Sequence, residues 1–418
     1  MCRLTLLLAA GSLFAGDERQ ALLLRAEADF ERVYLSATPR LAETQACMLS
    51  QAALLPVSAP WELSRLHFRR GYCALTGALI TREPGVFGDA ARAFDQAAAA
   101  WAVPPKAGNA APQPVPSGLR LLSTIAVLEG GAGSEALADA DRTLAAAGQG
   151  TCAPELMPVR LCQDLPAVAR QWRGWIAVRQ NRLEDASRYF DSALSPGWAA
   201  WVRGQLAFDR RAYTAAAADF QTAVKDWSAR ETAPATSIPA GLAPRPEMAS
   251  ALVDLGGAQL LAGDPRAAIR SLDAGQKRDA SASWPFFLRA RAREEAGEKV
   301  AALADYNLAS RTAFAEAGER AAGEAHLYRG VWLFRRHDTE RAEAEFASAL
   351  NFAVGPRLRP DAVAWRSLAA VAAGSCGASR DNLEKALPLV SPFFPKEEAL
   401  ADLAAACPTP MAAGASLP

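Results

Sequence analysis

Seven cysteines and three histidines are the residues of this 418-residue chain best suited to chemistry. Cys2 stands ahead of an apolar run and is set aside. The six that remain are Cys47, Cys73, Cys152, Cys162, Cys376 and Cys407. An even number is what an oxidising compartment predicts. The count alone leaves the pairing open, but nearness in sequence suggests Cys47 with Cys73, Cys152 with Cys162, and Cys376 with Cys407. The first bridge would clamp the N-terminal part, the second would staple a loop around Pro154 and Pro158, and the third would pin the last helix. Reduced thiols packed as small core residues are the competing reading. A zinc site is not expected, because no CxxC pair and no nearby histidine supplies tetrahedral ligands.

The histidines lack catalytic company. His67, between Leu66 and Phe68, has no recognisable partner, and His326 and His337 fall in structural slots described below. The chain contains no HExxH, Walker A, GxGxxG or GxSxG element. Glu294 and Glu295 are more simply explained as solvated helix surface. No catalytic residue, cofactor or resident metal is therefore expected. An enzyme with an unrecognised site in residues 17–160 is the weakest of the alternatives.

The elements that would position these side chains are set by a pattern written twice between Trp172 and Val224. Gly174 is followed at offsets 3, 12, 16 and 19 by Ala177, Ala186, Phe190 and Ala193. Gly204 is followed at the same offsets by Ala207, Ala216, Phe220 and Ala223. A mid-helix glycine costs about 1 kcal/mol relative to alanine, which is tolerable where a second helix must come close. Alanine, phenylalanine and alanine at i, i+4 and i+7 share one helix face, and the ring would lodge between paired helices. The register returns at Gly256 with Ala268 and Leu272, at Ala290 with Ala302, Tyr306 and Ala309, and at Gly330 with Ala342, Phe346 and Ala349. Seven residues after each anchor stand Asn181, Arg211, Gly263, Gly297 and His337. Four of these five are types that tolerate the left-handed conformation ending a helix. Gly71 and Phe94 fit the register with seven extra residues between them, placed around Thr81–Gly88.

This pattern resembles the tetratricopeptide repeat, over roughly residues 60–390 and most clearly over 165–352. The resemblance implies an all-α, right-handed superhelical solenoid of helix–turn–helix units. The anchors 174, 204, 256, 290 and 330 are unevenly spaced, so the superhelix should be irregular. His337 takes the inter-helix turn, and His326 takes the slot of the family's early aromatic. One hairpin cannot bury its apolar face alone, so copies must stack. The family lines its concave groove with the first helix of each repeat. Carried over residue by residue, the groove would include Trp175, Arg179, Trp198, Trp201, Phe208, Trp284, Arg291, Phe334 and Arg335. Tryptophan and arginine are the usual anchors of protein interfaces. Packing between adjacent repeats is the competing role for about half of these aromatics.

Lys+Arg and Asp+Glu balance at 45 each, so no global field favours nucleic acid. No apolar run reaches the ~18–20 residues of a membrane span. Residues 1–16, with Arg3 ahead of the apolar run Leu4–Ala15, resemble a secretory signal peptide; an ordinary first helix is the alternative. The expected organisation is a helical cap over 17–56, degenerate repeats with proline-rich loops over 57–164, and two clear repeats over 165–229. A proline-rich loop over 230–247, three repeats over 248–352, a C-terminal repeat and cap over 353–407 and a disordered tail over 408–418 complete it. The expected function is a protein- or peptide-binding scaffold, exported to the periplasm or secreted, or cytoplasmic if the first residues are not a signal. A self-assembling structural component, a homo-oligomer, is the alternative.

Overall fold

The computed structural model describes residues 2–36, 39–58, 60–102, 114–131, 133–148, 153, 155–190, 195–232, 242–244, 247–316, 318–352 and 358–407. Cys152, Ala193, the tail 408–418 and most of the two proline-rich loops lie outside them. Among the described residues no strand is present. The chain divides into two compact units, Met1–Val202 with Asp226–Pro246, and Arg203–Lys225 with Glu247–Pro418.

The first unit contains α1 (Cys2–Leu35), α2 (Leu41–Leu54), α3 (Pro60–Thr81), α4 (Pro84–Trp101), α5 (Ser117–Glu129), α6 (Ser134–Ala147), α7 (Val159–Arg179) and α8 (Leu183–Tyr189). The division passes through α9 (Pro196–Asp209) and α10 (Tyr213–Thr232). The second unit continues with α11 (Met248–Leu261), α12 (Pro265–Arg278), α13 (Trp284–Glu295), α14 (Lys299–Ala315) and α15 (Glu319–Arg335). It ends with α16 (Thr339–Asn351), α17 (Arg359–Ala372), α18 (Gly377–Ala386) and α19 (Lys396–Ala406). Within each unit sequential helices pack on one another, the helical-repeat solenoid expected of stacked hairpins.

The turn chemistry is uniform. Asn181, Arg211, Gly263, Gly297 and His337 all have positive φ, between 57° and 83°. After each, the next N–H reaches back to the carbonyl three residues beyond the repeat anchor. Arg182 donates to Ala177, Ala212 to Ala207, Asp264 to Gln259, Glu298 to Arg293 and Asp338 to Leu333, at 2.8–3.1 Å. The left-handed residue itself donates to the following carbonyl, as Asn181 does to Val178 at 2.9 Å. This paired closure satisfies the last carbonyls of the first helix and turns the chain into the second. Arg82, Gly131 and Gly374 take the same conformation between α3 and α4, α5 and α6, and α17 and α18.

The anchors do what their size demands. A Cβ on Gly174 would stand 2.8 Å from the Phe190 ring, one on Gly204 2.6 Å from Phe220, and one on Gly330 2.5 Å from Phe346. Gly256 is closed over by Leu272 and Gly71 by Phe94. These rings are buried, Phe220 and Phe346 completely. Two expectations shift. The seven extra residues around Thr81–Gly88 do not form a loop, because α3 runs to Thr81 and α4 starts at Pro84. The left-handed Arg82 comes 11 residues after Gly71 instead of 7, so about one turn is added to each helix and the packing face is kept. Helix α7, the first of the repeats expected from residue 165, also begins earlier. That helix starts at Val159 and carries Pro166 inside it.

Two disulfides join Cys47 to Cys73 and Cys376 to Cys407. The first lies in the core between α2 and α3, with both cysteines fully buried. The second ties the start of α18 to the end of α19. Cys162 also carries a disulfide, while its expected partner Cys152 lies outside the described residues.

Candidate functional site

In the first unit, the first helices of successive hairpins present a row of indoles. Trp172 and Trp175 meet edge to face at 5.4 Å, and the Arg179 guanidinium lies 5.0 Å over the Trp175 ring. Trp175 is half-buried and Arg179 exposed. Trp198 is 5% exposed, stacked on Phe190 at 5.2 Å and edge-on to Trp201 and Trp227. Both buried indoles use their N–H on main-chain carbonyls of residues 242–244 of the same chain. Trp172 Nε1 donates to the Leu242 carbonyl at 2.7 Å, and Trp198 Nε1 donates to the Pro244 carbonyl at 3.0 Å. A buried indole N–H needs such an acceptor. Trp198 is thereby taken up in packing, whereas Trp175, Arg179 and Trp201 keep accessible surface.

In the second unit, three of the residues expected at the groove converge on the segment that links α18 to α19, and a fourth meets the first turn of α19. The Phe393 ring lies 5.6 Å from Trp284 and 6.2 Å from Phe208. The Phe393 carbonyl accepts from Arg291 Nε at 3.1 Å. Arg335 pairs with Glu398 of α19, one bond measuring 3.0 Å, and its guanidinium also lies 5.2 Å over Trp365. Phe334, the fifth, is buried against Trp365 at 5.5 Å.

The charges here are tightly tied. Arg291, only 7% exposed, also donates to Glu294 at 2.5 Å. Glu294 accepts from the buried Tyr306 hydroxyl at 2.7 Å, and Arg335 Nε lies 2.7 Å from it without the alignment of a hydrogen bond. Burial pushes the Tyr306 hydroxyl far above its ordinary value, and the Glu294 charge adds to this. Burial opposes the charge on Arg335, but Glu398 and Glu294 outweigh it and hold the guanidinium firmly protonated. Burial raises Glu295 and Asp402 as well, each with a neighbouring carboxylate adding to the effect.

Arg291, Glu294, Phe334, Arg335 and Glu398 border a recess of about 860 Å³ within the second unit. Lys299, Glu295 and Asp402 line it beside Arg291, Phe334 and Arg335. His337 is at its edge in the left-handed turn of its hairpin. His326 is engaged elsewhere, its Nδ1 2.7 Å from Glu345 and its ring stacked on Phe352. His67 is half-buried, and burial followed by the nearby Arg70 lowers its pKa. Among the described residues no group of three or more His, Cys, Asp or Glu could hold a metal ion, and no helix is long and apolar enough to cross a membrane.

Phe393, Glu398 and the pair Leu242 and Pro244 escaped the reading of the sequence, because the repeat pattern assigns no position outside its own helices; Glu294, expected as solvated helix surface, is instead half-buried and held by Arg291 and Tyr306. The one available signal was Ser391-Pro392-Phe393-Phe394-Pro395, two adjacent rings bracketed by prolines.

The fold and these surfaces define an all-α helical-repeat protein built of tetratricopeptide-like hairpins. No family model matches the chain, and no curated protein matches it in sequence. Among solved structures, it is similar to a tetratricopeptide repeat protein from Parabacteroides merdae, at 16% identity and a TM-score of 0.41 over 69% of this chain and 98% of that one. It is also similar to yeast Tom70, at 15% identity and a TM-score of 0.35 over 88% and 86%. The Cut9–Hcn1 hetero-tetramer of the APC/C aligns at 11% identity and a TM-score of 0.25 over 94% of each chain. These likenesses are loose, and the assignment of the fold stands on the turn and anchor packing above.

Proposed function

We propose that this chain is a non-enzymatic protein-binding scaffold that holds an extended segment of a partner protein on the first helices of its hairpins. One observation carries the reading. In each unit, first-helix side chains already hold main chain outside the repeat hairpins through N–H donors aimed at its carbonyls, Trp172 and Trp198 in the first unit and Arg291 in the second. Donors to main-chain carbonyls with aromatic rings beside them are the means by which folded domains grip extended peptides. The cell envelope is the proposed workplace, supported by the Cys47–Cys73 and Cys376–Cys407 disulfides and by the apolar N-terminal run.

The test is capture of partner proteins from envelope extracts by the full chain and by a Trp201→Ala/Arg179→Ala variant. Both side chains are accessible and neither closes a hairpin. Capture should fall at least tenfold (about 1.4 kcal/mol) with helicity unchanged. Undiminished capture would remove these residues from the binding surface.

A further inference from the structure

The segment from Ser391 to Cys407 has two faces with different roles. Phe394, Ala399, Leu403 and Cys407 are buried together with Trp365 and Val390, and close the end of the second unit. Phe393 and Glu398 leave from the other face and reach the first helices of earlier hairpins. Phe393 touches Phe208 of α9 and Trp284 of α13. It also lies over Gly257 of α11, where a Cβ would come within 3.2 Å of its ring. Glu398 reaches Arg335 of α15. Closing the end of the unit requires none of these four contacts.

The segment is tied at both ends, by Ser391 donating to Asp361 at 2.7 Å and by the Cys376–Cys407 disulfide. Between the ties these two side chains stay accessible: Phe393 is half-buried and the Glu398 side chain 44% exposed. The receiving groups are not so free. Arg291 is buried, and losing the Phe393 carbonyl would leave its Nε without an acceptor. An unpaired buried donor is costly. Whatever displaces the segment must therefore return an aromatic ring, a main-chain carbonyl and a carboxylate.

We propose that this surface is the docking site for a segment of a partner protein that turns into a helix as residues 393–398 do and carries an aromatic residue followed five positions later by a carboxylate. Phe393 and Glu398 hold the site until that partner arrives. The proposal rests on the scaffold reading and names the chemistry of the partner. A tether of this kind presents its own segment at an effective concentration on the order of millimolar. The resting protein is therefore self-occupied, and a partner must compete.

The experiment is titration of a fluorescent synthetic peptide with the sequence of residues 389–403 into the full chain. The wild type, Phe393→Ala/Glu398→Ala, and the same double variant with Arg335→Gln are compared by anisotropy and by the mass of the complex. The peptide should bind the double variant at least tenfold more tightly than the wild type, as one peptide per chain, and the added Arg335→Gln should abolish the gain. Equal binding by the wild type and the double variant, both with full helicity, would overturn the proposal. So would a complex of two chains, which would assign the surface to a second copy. Phe393→Ala and Glu398→Ala are also tested singly, and each should give part of the gain, so that poor folding of the double variant does not decide the result. Envelope capture that persists while the peptide fails to bind would sink this inference and leave the scaffold reading intact; loss of both would sink the scaffold reading.

Discussion

At the scale of single residues, the anchors and the buried carboxylates set the energetics. Gly204 has no room for a methyl group, because a Cβ would meet the Phe220 ring at 2.6 Å. Gly204→Ala gains helix propensity of about 1 kcal/mol but forces the ring to move, at a cost of about 1–3 kcal/mol. The net effect in thermal or urea unfolding should be destabilising. Phe220→Ala, which leaves a cavity at a fully buried site, should cost about 3–5 kcal/mol. If Gly204→Ala proves more stable than the parent, the close approach of the helices is not what selects glycine. Asp361 offers a pH test. Burial pushes its carboxyl up to about 6, against the lowering effect of the Ser391 hydroxyl and N–H. Because the folded value lies above the unfolded one, its stabilising contribution is complete below about pH 4 and is lost as pH rises through about 6. Asp361→Asn should therefore be more stable than the parent at pH 7, by up to about 3 kcal/mol, and the advantage should vanish near pH 4. An advantage of the same size at both pH values would mean that ionisation of Asp361 has no part in it.

At the scale of elements, the hairpin turn is the unit that repeats most faithfully. Its left-handed residue was legible at Gly263, Gly297 and Asn181, where the residue type announces the conformation. At His337 the residue type tolerates it, and at Arg211 it was legible only through register, since arginine does not favour positive φ. The structure puts Arg211 at φ 60°. Arg211→Gly should relieve that strain and raise stability by about 0.5–1 kcal/mol, measured by urea unfolding. A loss of stability would show that the Arg211 side chain contributes more than its backbone costs. The Cys376–Cys407 disulfide, spanning 31 residues, acts on the last element. Cys376→Ser/Cys407→Ser should cost about 3–4 kcal/mol and speed hydrogen exchange of α19 amides while α13 and α15 stay protected. Uniform loss of protection across the second unit would instead make α19 an integral part of its core.

At the scale of the whole molecule, the sequence reveals the repeats far better than it reveals the surfaces they offer. The glycine-to-aromatic offsets are local, and a local pattern can be read from one chain. Trp198, Trp284, Arg291 and Arg335 were placed on the binding face by their register. What engages them is not local: Pro244 lies 46 residues from Trp198, Phe393 lies 102 from Arg291, and Glu398 lies 63 from Arg335. No periodicity encodes such meetings, so a reading by position treats as open several side chains that the chain already engages. The balanced charge of the chain says equally little about where its surface is occupied. The central claim, that the first-helix surfaces hold a partner, is tested most directly by photo-crosslinking in the native cell. A photoreactive residue replaces Arg179, exposed on the first helix of a hairpin, or Thr222, exposed on a second helix. The expected result is one discrete adduct with another protein from position 179 and none from position 222. Equal crosslinking from both positions, or adducts only between copies of this chain, would contradict the account.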